Sequence, residues 1–282
     1  MPSRVVVLAT STRDVVGGSE RLGGPAFFVG TALHLLGSEA LVITNAGRVA
    51  DALGRLEGIS VSVAGSDETV FSIEVDQEGG RILRLLRRSS MRSVELPDRG
   101  PFIISGTMGE IPIGLVEEAA SRGPALVDVQ GFVREADEGG EVRNSPDLMR
   151  DLMRRLRGSG VLLRGERYEF PPECRGEKLV DCSEDNDVDL VMTDAENPFY
   201  AAVGGAAYRG HPIGGLHGEP IGLGDVFTAA LGYYMYSVGL DLARSAALSS
   251  AAATLKLRGK HPWFTPVEVE EAARKVRLER LR

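Results

Sequence analysis

In the segment Glu219-Pro220-Ile221-Gly222-Leu223-Gly224-Asp225-Val226-Phe227, a glycine-containing loop runs directly into an amphipathic helix. Phe227, Ala230, Leu231 and Tyr234 follow at helical spacing. Free backbone N–H groups at a helix start, reinforced by the helix dipole, attract an anion such as a phosphate, and glycines let it come close. Asp225 would stand beside those donors, placed to take a proton from a hydroxyl as that hydroxyl attacks phosphorus. The same residues also make an ordinary helix cap and a Gly-rich turn, so spacing alone leaves both readings open. The Gly-Lys-Ser/Thr ending of a Walker loop is missing, and no G-x-G-x-x-G follows an early strand. His34, His211, His217 and His261 have no zinc spacing, and no catalytic triad is legible.

Elements that could position such a loop are readable from the alternation of short apolar runs with helical patterns, the mark of an α/β layered fold. Strands are expected at 4–9, 40–44, 101–105, 125–129, 160–164 and 189–193. Helices are expected at 24–36, closed by Gly37, and at 49–56, 113–122, 145–157, 225–238, 240–258 and 266–281. A mainly parallel sheet covered on both faces follows, in a single domain spanning 1–282. One segment breaks the alternation. Thr69 to Asp76 puts Phe71, Ile73 and Val75 on one face, Gly79-Gly80 supplies a turn, and Arg81 to Arg88 returns. This β-hairpin, within about 68–90, reads as a flap, an oligomer contact or a lid over a site. Apolar residues on both faces of its second strand, Leu83 and Leu85 against Ile82 and Leu86, point to a possible homodimer through the lid.

Composition narrows the function. The chain has 282 residues, 43% hydrophobic, enough for a buried core. A formal charge of −8 disfavours a nucleic-acid coat, which needs a basic footprint. No run approaches the roughly 20 apolar residues of a membrane helix, and Met1-Pro2-Ser3-Arg4 leads straight into Val5 without a signal-peptide layout. With two cysteines, Cys174 and Cys182, a disulfide framework is not expected and a reducing cytoplasmic setting fits.

Gly222-Leu223-Gly224-Asp225-Val226-Phe227 resembles the Gly-Ala-Gly-Asp-x-Phe signature of the ribokinase family of sugar and nucleoside kinases. Gly23-Gly24-Pro25-Ala26, heading a helix, resembles that family's first glycine pair. Asp14 matches its substrate aspartate, and the 69–88 hairpin falls where the family builds its lid. The resemblance runs over almost the whole chain. It implies a ribokinase-like three-layer α/β core with a small β lid, and ATP and Mg2+ as co-reactants. Asp225 would be the general base, the Gly222, Leu223 and Gly224 backbone an anion hole, and Asp14, Gly23 and Gly24 substrate contacts. Departures are equally plain. Phe28 stands where the family commonly has an asparagine, which makes ribose itself doubtful. Leu163-Arg164-Gly165-Glu166 keeps only the glutamate of an Asn-x-x-Glu motif, leaving Glu166 to order magnesium-bound water. Thr193-Asp194-Ala195 retains only Thr193 of a nucleotide-side Thr-x-Gly, and Glu219-Pro220-Ile221 replaces Asp-Thr-Thr.

Three stretches, 21–28, 81–90 and 127–134, are similar to an archaeal branch of myo-inositol kinases within that family. The last places Asp128 and Gln130 at a strand end, where α/β sheets bind ligands, and Gln130 offers a donor and an acceptor to a ring of hydroxyls. Myo-inositol is therefore the expected acceptor. A nucleoside or other sugar kinase is the alternative enzyme, since Phe27 and Phe28 could stack a base. A non-catalytic sugar-binding protein is the alternative of another class.

Overall fold

A computed structural model describes residues 4–75, 81–91 and 94–282. Its spine is a ten-stranded sheet. Across it run the strands Arg277–Arg280, Ala206–His211, Asn197–Val203, Asp189–Asp194, Leu162–Glu166, Ala125–Asp128, Phe102–Ser105, Val5–Ala9, Ala40–Thr44 and Ile59–Val63. Pairing is parallel from Ile59–Val63 through to Asp189–Asp194 and antiparallel beyond. The mainly parallel α/β architecture expected from the sequence is the one found.

The continuous apolar run at the first strand is explained by burial on both faces. Val5 and Val7 face a core built with Val29 and Leu33 of helix Pro25–Leu35, Val226 and Ala230 of helix Leu223–Gly232, and Leu248 of helix Leu242–Lys256. Val6 and Leu8 face a second core with Val116 of helix Ile113–Arg122 and Met149 and Leu152 of helix Pro146–Arg155. Period-two alternation thus sorts one strand between two helical layers.

A second sheet of four strands covers one end, in the order Ser19–Gly23, Thr12–Val16, Thr69–Val75, Arg81–Arg87. Two of these are the expected hairpin strands; the expected turn at 79–80 lies outside the described residues. The other two arise from residues 12–23, which the sequence pattern left unassigned. Their turn is Gly17-Gly18, both at positive φ, 55° and 79°. Leu86 is exposed on the outermost strand.

Three differences have physical reasons. The expected terminal helix 266–281 stops at Ala273, and Arg277–Arg280 adds an edge strand whose Glu279 lies opposite Arg209 and accepts from it at 3.0 Å. Residues 197–211, small and mixed in character, form a hairpin around Gly204-Gly205. Cys174 and Cys182 form a disulfide, against the expectation of reduced thiols. They lie only eight residues apart, where the turn Pro172–Cys174 folds onto helix Lys178–Asn186, so one local bridge forms without any framework. The cysteine argument for a reducing compartment is thereby lost. No helix among the described residues is long and apolar enough to cross a membrane.

Helix Leu223–Gly232 lies directly on the sheet because its last residue has no side chain. A Cβ at Gly232 would come within 2.6 Å of Ile103 Cδ1 and 2.7 Å of Cγ1. Gly232→Val should therefore overpack this contact and cost about 1–3 kcal/mol in urea denaturation. An unchanged midpoint would mean the helix is not seated there.

Candidate functional site

The loop–helix segment singled out in the sequence sits at the carboxyl ends of the parallel strands. Gly222 precedes helix Leu223–Gly232 with φ +80°, a left-handed value that favours glycine. A Cβ there would also lie 2.4 Å from Phe28 Cδ1. At Gly224 a Cβ would meet Arg164 Nη1 at 2.7 Å. Neighbours thus demand glycine at both positions, and at Gly222 the backbone does as well. The N–H groups of Gly222, Gly224 and Asp225 have no backbone acceptor among the described residues, so a set of donors stands open at the positive end of the helix.

Asp225 occupies the first turn of that helix and is half-buried. Burial is the main cause that pushes its carboxyl up to about 7, and the nearby Asp128 adds to this. Arg164 and Arg134 pull the other way. A carboxylate poised near neutrality beside open N–H donors has the properties of a general base next to an anion site.

Beneath the helix lies a residue that the sequence reading quoted but gave no role. Arg164 is 3% exposed and donates from Nη1 to Asp128 Oδ2 at 2.8 Å and from Nη2 to Thr193 Oγ1 at 2.6 Å. Its guanidinium stands 5.6 Å from the centroid of the Phe227 ring. Burial works against its charge, but Asp128, Glu166 and Glu169 more than offset that and hold its pKa above the ordinary value. The signal was available: a charged residue inside a buried parallel strand needs a partner, and Asp128 sits in register opposite it on the next strand.

Two predicted site residues consequently meet protein first. Asp128 accepts from Arg164 and, at 3.0 Å, from Thr228 through Oδ2, while Oδ1 takes the Gln130 N–H at 3.2 Å. The Thr193 hydroxyl is engaged with Arg164. Glu166 ends its strand by capping a single turn: its carboxylate accepts the Glu169 N–H, and the Glu169 carboxylate accepts the Glu166 N–H at 2.8 Å. Glu169 is buried, which raises it to about 7, with Arg134 at 3.7 Å opposing the rise. Among the described residues no three His, Cys, Asp or Glu side chains cluster closely enough to hold a metal ion directly. A Mg2+ that keeps most of its water needs only one or two carboxylates; Glu166 is near enough to Asp225 for its charge to raise that carboxyl.

On the other side stand the residues predicted for substrate. Asp14 lies on the small sheet, accepts from Thr12 Oγ1 at 2.8 Å, and is raised in pKa by burial. A Cβ at Gly23 would come within 2.3 Å of Asp14 Oδ2, so this glycine makes room for the carboxylate. Gly24, at φ +87°, brings its backbone against Thr12 N and Thr10 O as helix Pro25–Leu35 begins. Gln130 is half-buried and donates from Nε2 to Gly106 O at 3.3 Å. Phe28 is 9% exposed and stacked on Trp263 at 5.9 Å, so its ring is committed to packing. The sequence reading also missed Asn45, a buried hub that accepts the Ser11 N–H at 2.7 Å and donates to Ser89 Oγ at 2.7 Å and to Asp67 O at 3.0 Å. It ties the end of the first strand to the base of the small sheet.

No protein-family profile matches the sequence, and no curated protein matches it. Solved structures do. A pyrophosphate-dependent kinase in the ribokinase family, in complex with sulfate, is 18% identical, with 95% of this chain and 99% of that one covered at a TM-score of 0.72. A pyrophosphate-dependent myo-inositol-1 kinase, converted to a myo-inositol-3 kinase by substitution, is 18% identical over 95% and 98% at 0.71. Arabidopsis thaliana ribokinase, complexed with ribose and ATP, is 16% identical over 97% and 99% at 0.68. The chain has the ribokinase-like fold.

The raised carboxyl at Asp225 has a consequence for stability. An unfolded aspartate titrates near 3.9, so the folded protein holds this proton more tightly than the unfolded chain. Its ionisation therefore removes stability progressively as pH rises from about 4 to about 7. Asp225→Asn avoids that loss and should melt above the wild type at pH 8, with the advantage shrinking as pH falls toward 4. A difference that does not vary with pH would contradict this.

Proposed function

We propose that the protein is a phosphotransferase that moves the γ-phosphoryl group of ATP to a hydroxyl of a small sugar or cyclic polyol, myo-inositol first among them. The observation that carries this reading is the convergence of a neutral-range carboxyl at Asp225, open N–H donors at Gly222 and Gly224, and the buried Arg164 cation on one helix N-terminus. Asp225 would take the proton of the acceptor hydroxyl as its oxygen attacks phosphorus. The backbone of Gly222, Leu223 and Gly224 would receive the charge of the transferring group, the Leu223 N–H releasing its 3.4 Å bond to Pro220 O, with Arg164 beneath adding positive potential. Mg2+, held through water by Glu166, would neutralise charge on the donor phosphates. Asp14 and Gln130 would accept and donate hydrogen bonds to acceptor hydroxyls, a task for which Asp128, committed to Arg164 and Thr228, has less capacity left.

A second donor, inorganic pyrophosphate, is favoured by one specific feature. The strand end that the family resemblance puts on the nucleotide side carries charge rather than an apolar seat: Arg167 pairs with Asp194 at 3.2 Å, next to Thr193. The structurally similar pyrophosphate-dependent kinases make this donor a natural comparison.

The test is product formation from ATP or pyrophosphate with Mg2+, across myo-inositol, ribose, fructose and nucleosides, in wild type and Asp225→Asn. Turnover with myo-inositol that falls at least about 100-fold in the variant is expected, the scale of a lost general base. Turnover confined to a nucleoside would replace the acceptor. Ligand binding without turnover for any donor would make the protein a sugar binder on this fold.

A further inference from the structure

Lys256 ends helix Leu242–Lys256 and is 2% exposed, unusual for a lysine. Its ammonium donates to the carbonyl oxygens of Glu219, at 3.1 Å, and of Ile221. It lies 5.3 Å from the centroid of the Phe28 ring and 5.8 Å from that of Trp263, within cation–π reach of both. Phe28 in turn presses on Gly222, where a Cβ would be 2.4 Å away. The chain leading into the open helix N-terminus therefore runs over a charge enclosed by carbonyls and ring faces. It is held from the other side as well, by the Glu219 N–H on Leu257 O at 3.2 Å.

The geometry of one peptide unit makes this consequential. The bond between Ile221 and Gly222 is planar and trans, so its C=O and N–H point in opposite directions. An ammonium that fixes the Ile221 carbonyl fixes the direction of the Gly222 N–H, the first donor of the open set. It also polarises that amide, making the N–H a stronger donor. Glycine at 222 would otherwise let this peptide plane turn at little cost.

We propose that Lys256 is a positioning residue, an internal cation that aims the Gly222 N–H at a bound anion by gripping the Glu219 and Ile221 carbonyls. This rests on the anion site of the proposed function, and the test separates the two. Binding of inorganic pyrophosphate is measured by calorimetry, with the nitrogen-15 shift of the Gly222 amide followed in the same titration. The proteins are wild type, Lys256→Met, which keeps the stem without the charge, Lys256→Arg and Lys256→Ala.

Lys256→Met should bind pyrophosphate about tenfold or more weakly, the loss of one charge-assisted contact, and the Gly222 amide should lose its response. Lys256→Arg should retain most of both. Ammonium or methylammonium should restore affinity to Lys256→Ala, where the vacated space and carbonyls receive a small cation, and leave wild type unaffected. Where turnover is measurable, kcat should fall while the acceptor KM stays within about twofold, because the lost interaction faces the charge of the transition state. Pyrophosphate affinity and a Gly222 response equal to wild type in Lys256→Met would overturn the proposal. So would a Lys256→Met chain that fails to fold with ammonium present, or losses in Lys256→Ala that no small cation reverses, since both mark a purely structural lysine. Wild type that binds pyrophosphate through Gly222 but transfers no phosphoryl group would remove the kinase reading and leave this one standing.

Discussion

One buried ion pair anchors the helix that opens the site. Arg164 reaches from the middle of the parallel sheet to Asp128 on the strand to one side and Thr193 on the strand to the other, while Asp128 also takes the hydroxyl of Thr228 on the helix above. Three neighbouring strands and one helix are thereby locked at a single guanidinium. Taking both charges out of water is costly, and removing one partner would leave the other buried and uncompensated, a loss on the order of 3–5 kcal/mol. The pair is better understood as a device of placement than of stability. It sets the height of the helix over the sheet, demands glycine at 224, and puts a permanent positive charge beside the open N–H groups and the Asp225 carboxyl.

A second support works from the opposite side of the loop. Lys256, Phe28 and Trp263 form a cation-and-ring stack under residues 219–222, so the segment is held by Arg164 beneath Gly224 and by Lys256 before Gly222. Phe28 stands where the family resemblance leads one to expect an asparagine, and the structure gives it a use: its ring is a floor for Gly222. At 16–18% identity to the ribokinase and pyrophosphate-dependent kinase structures compared above, what this chain shares with them is the backbone scaffold.

Much of the scaffold was legible because its signals are local. The parallel strands appear as short apolar runs, and the Gly222-x-Gly224-Asp225 segment carries its own conformational demand. What escaped reading depends on partners distant in sequence. Thr12–Val16 and Ser19–Gly23 lack a clean apolar alternation because they lie in a small sheet over one end of the molecule, although Gly17-Gly18 marked the turn. The tail pattern reads as helix to Leu281, yet the pairing of Arg209 with Glu279 claims the last residues for the sheet. Arg164 occupies an unassigned position of the Asn-x-x-Glu-like stretch in the sequence, and its place becomes clear only from Asp128, 2.8 Å away on the next strand. Buried charge is specified by pairs, and a sequence presents its residues singly.

The central claim is that the Asp225 carboxyl and the open N–H groups of Gly222, Gly224 and Asp225 form one electrostatic unit that handles an anion and a proton together. It is tested most directly by titrating the Asp225 carboxyl through its carbon-13 shift, assigned by comparison with Asp225→Asn, without and with sulfate. The account predicts a midpoint near 7 in the free protein that moves upward when the anion is bound. A midpoint near that of an ordinary aspartate, about 4, and indifferent to sulfate would contradict it.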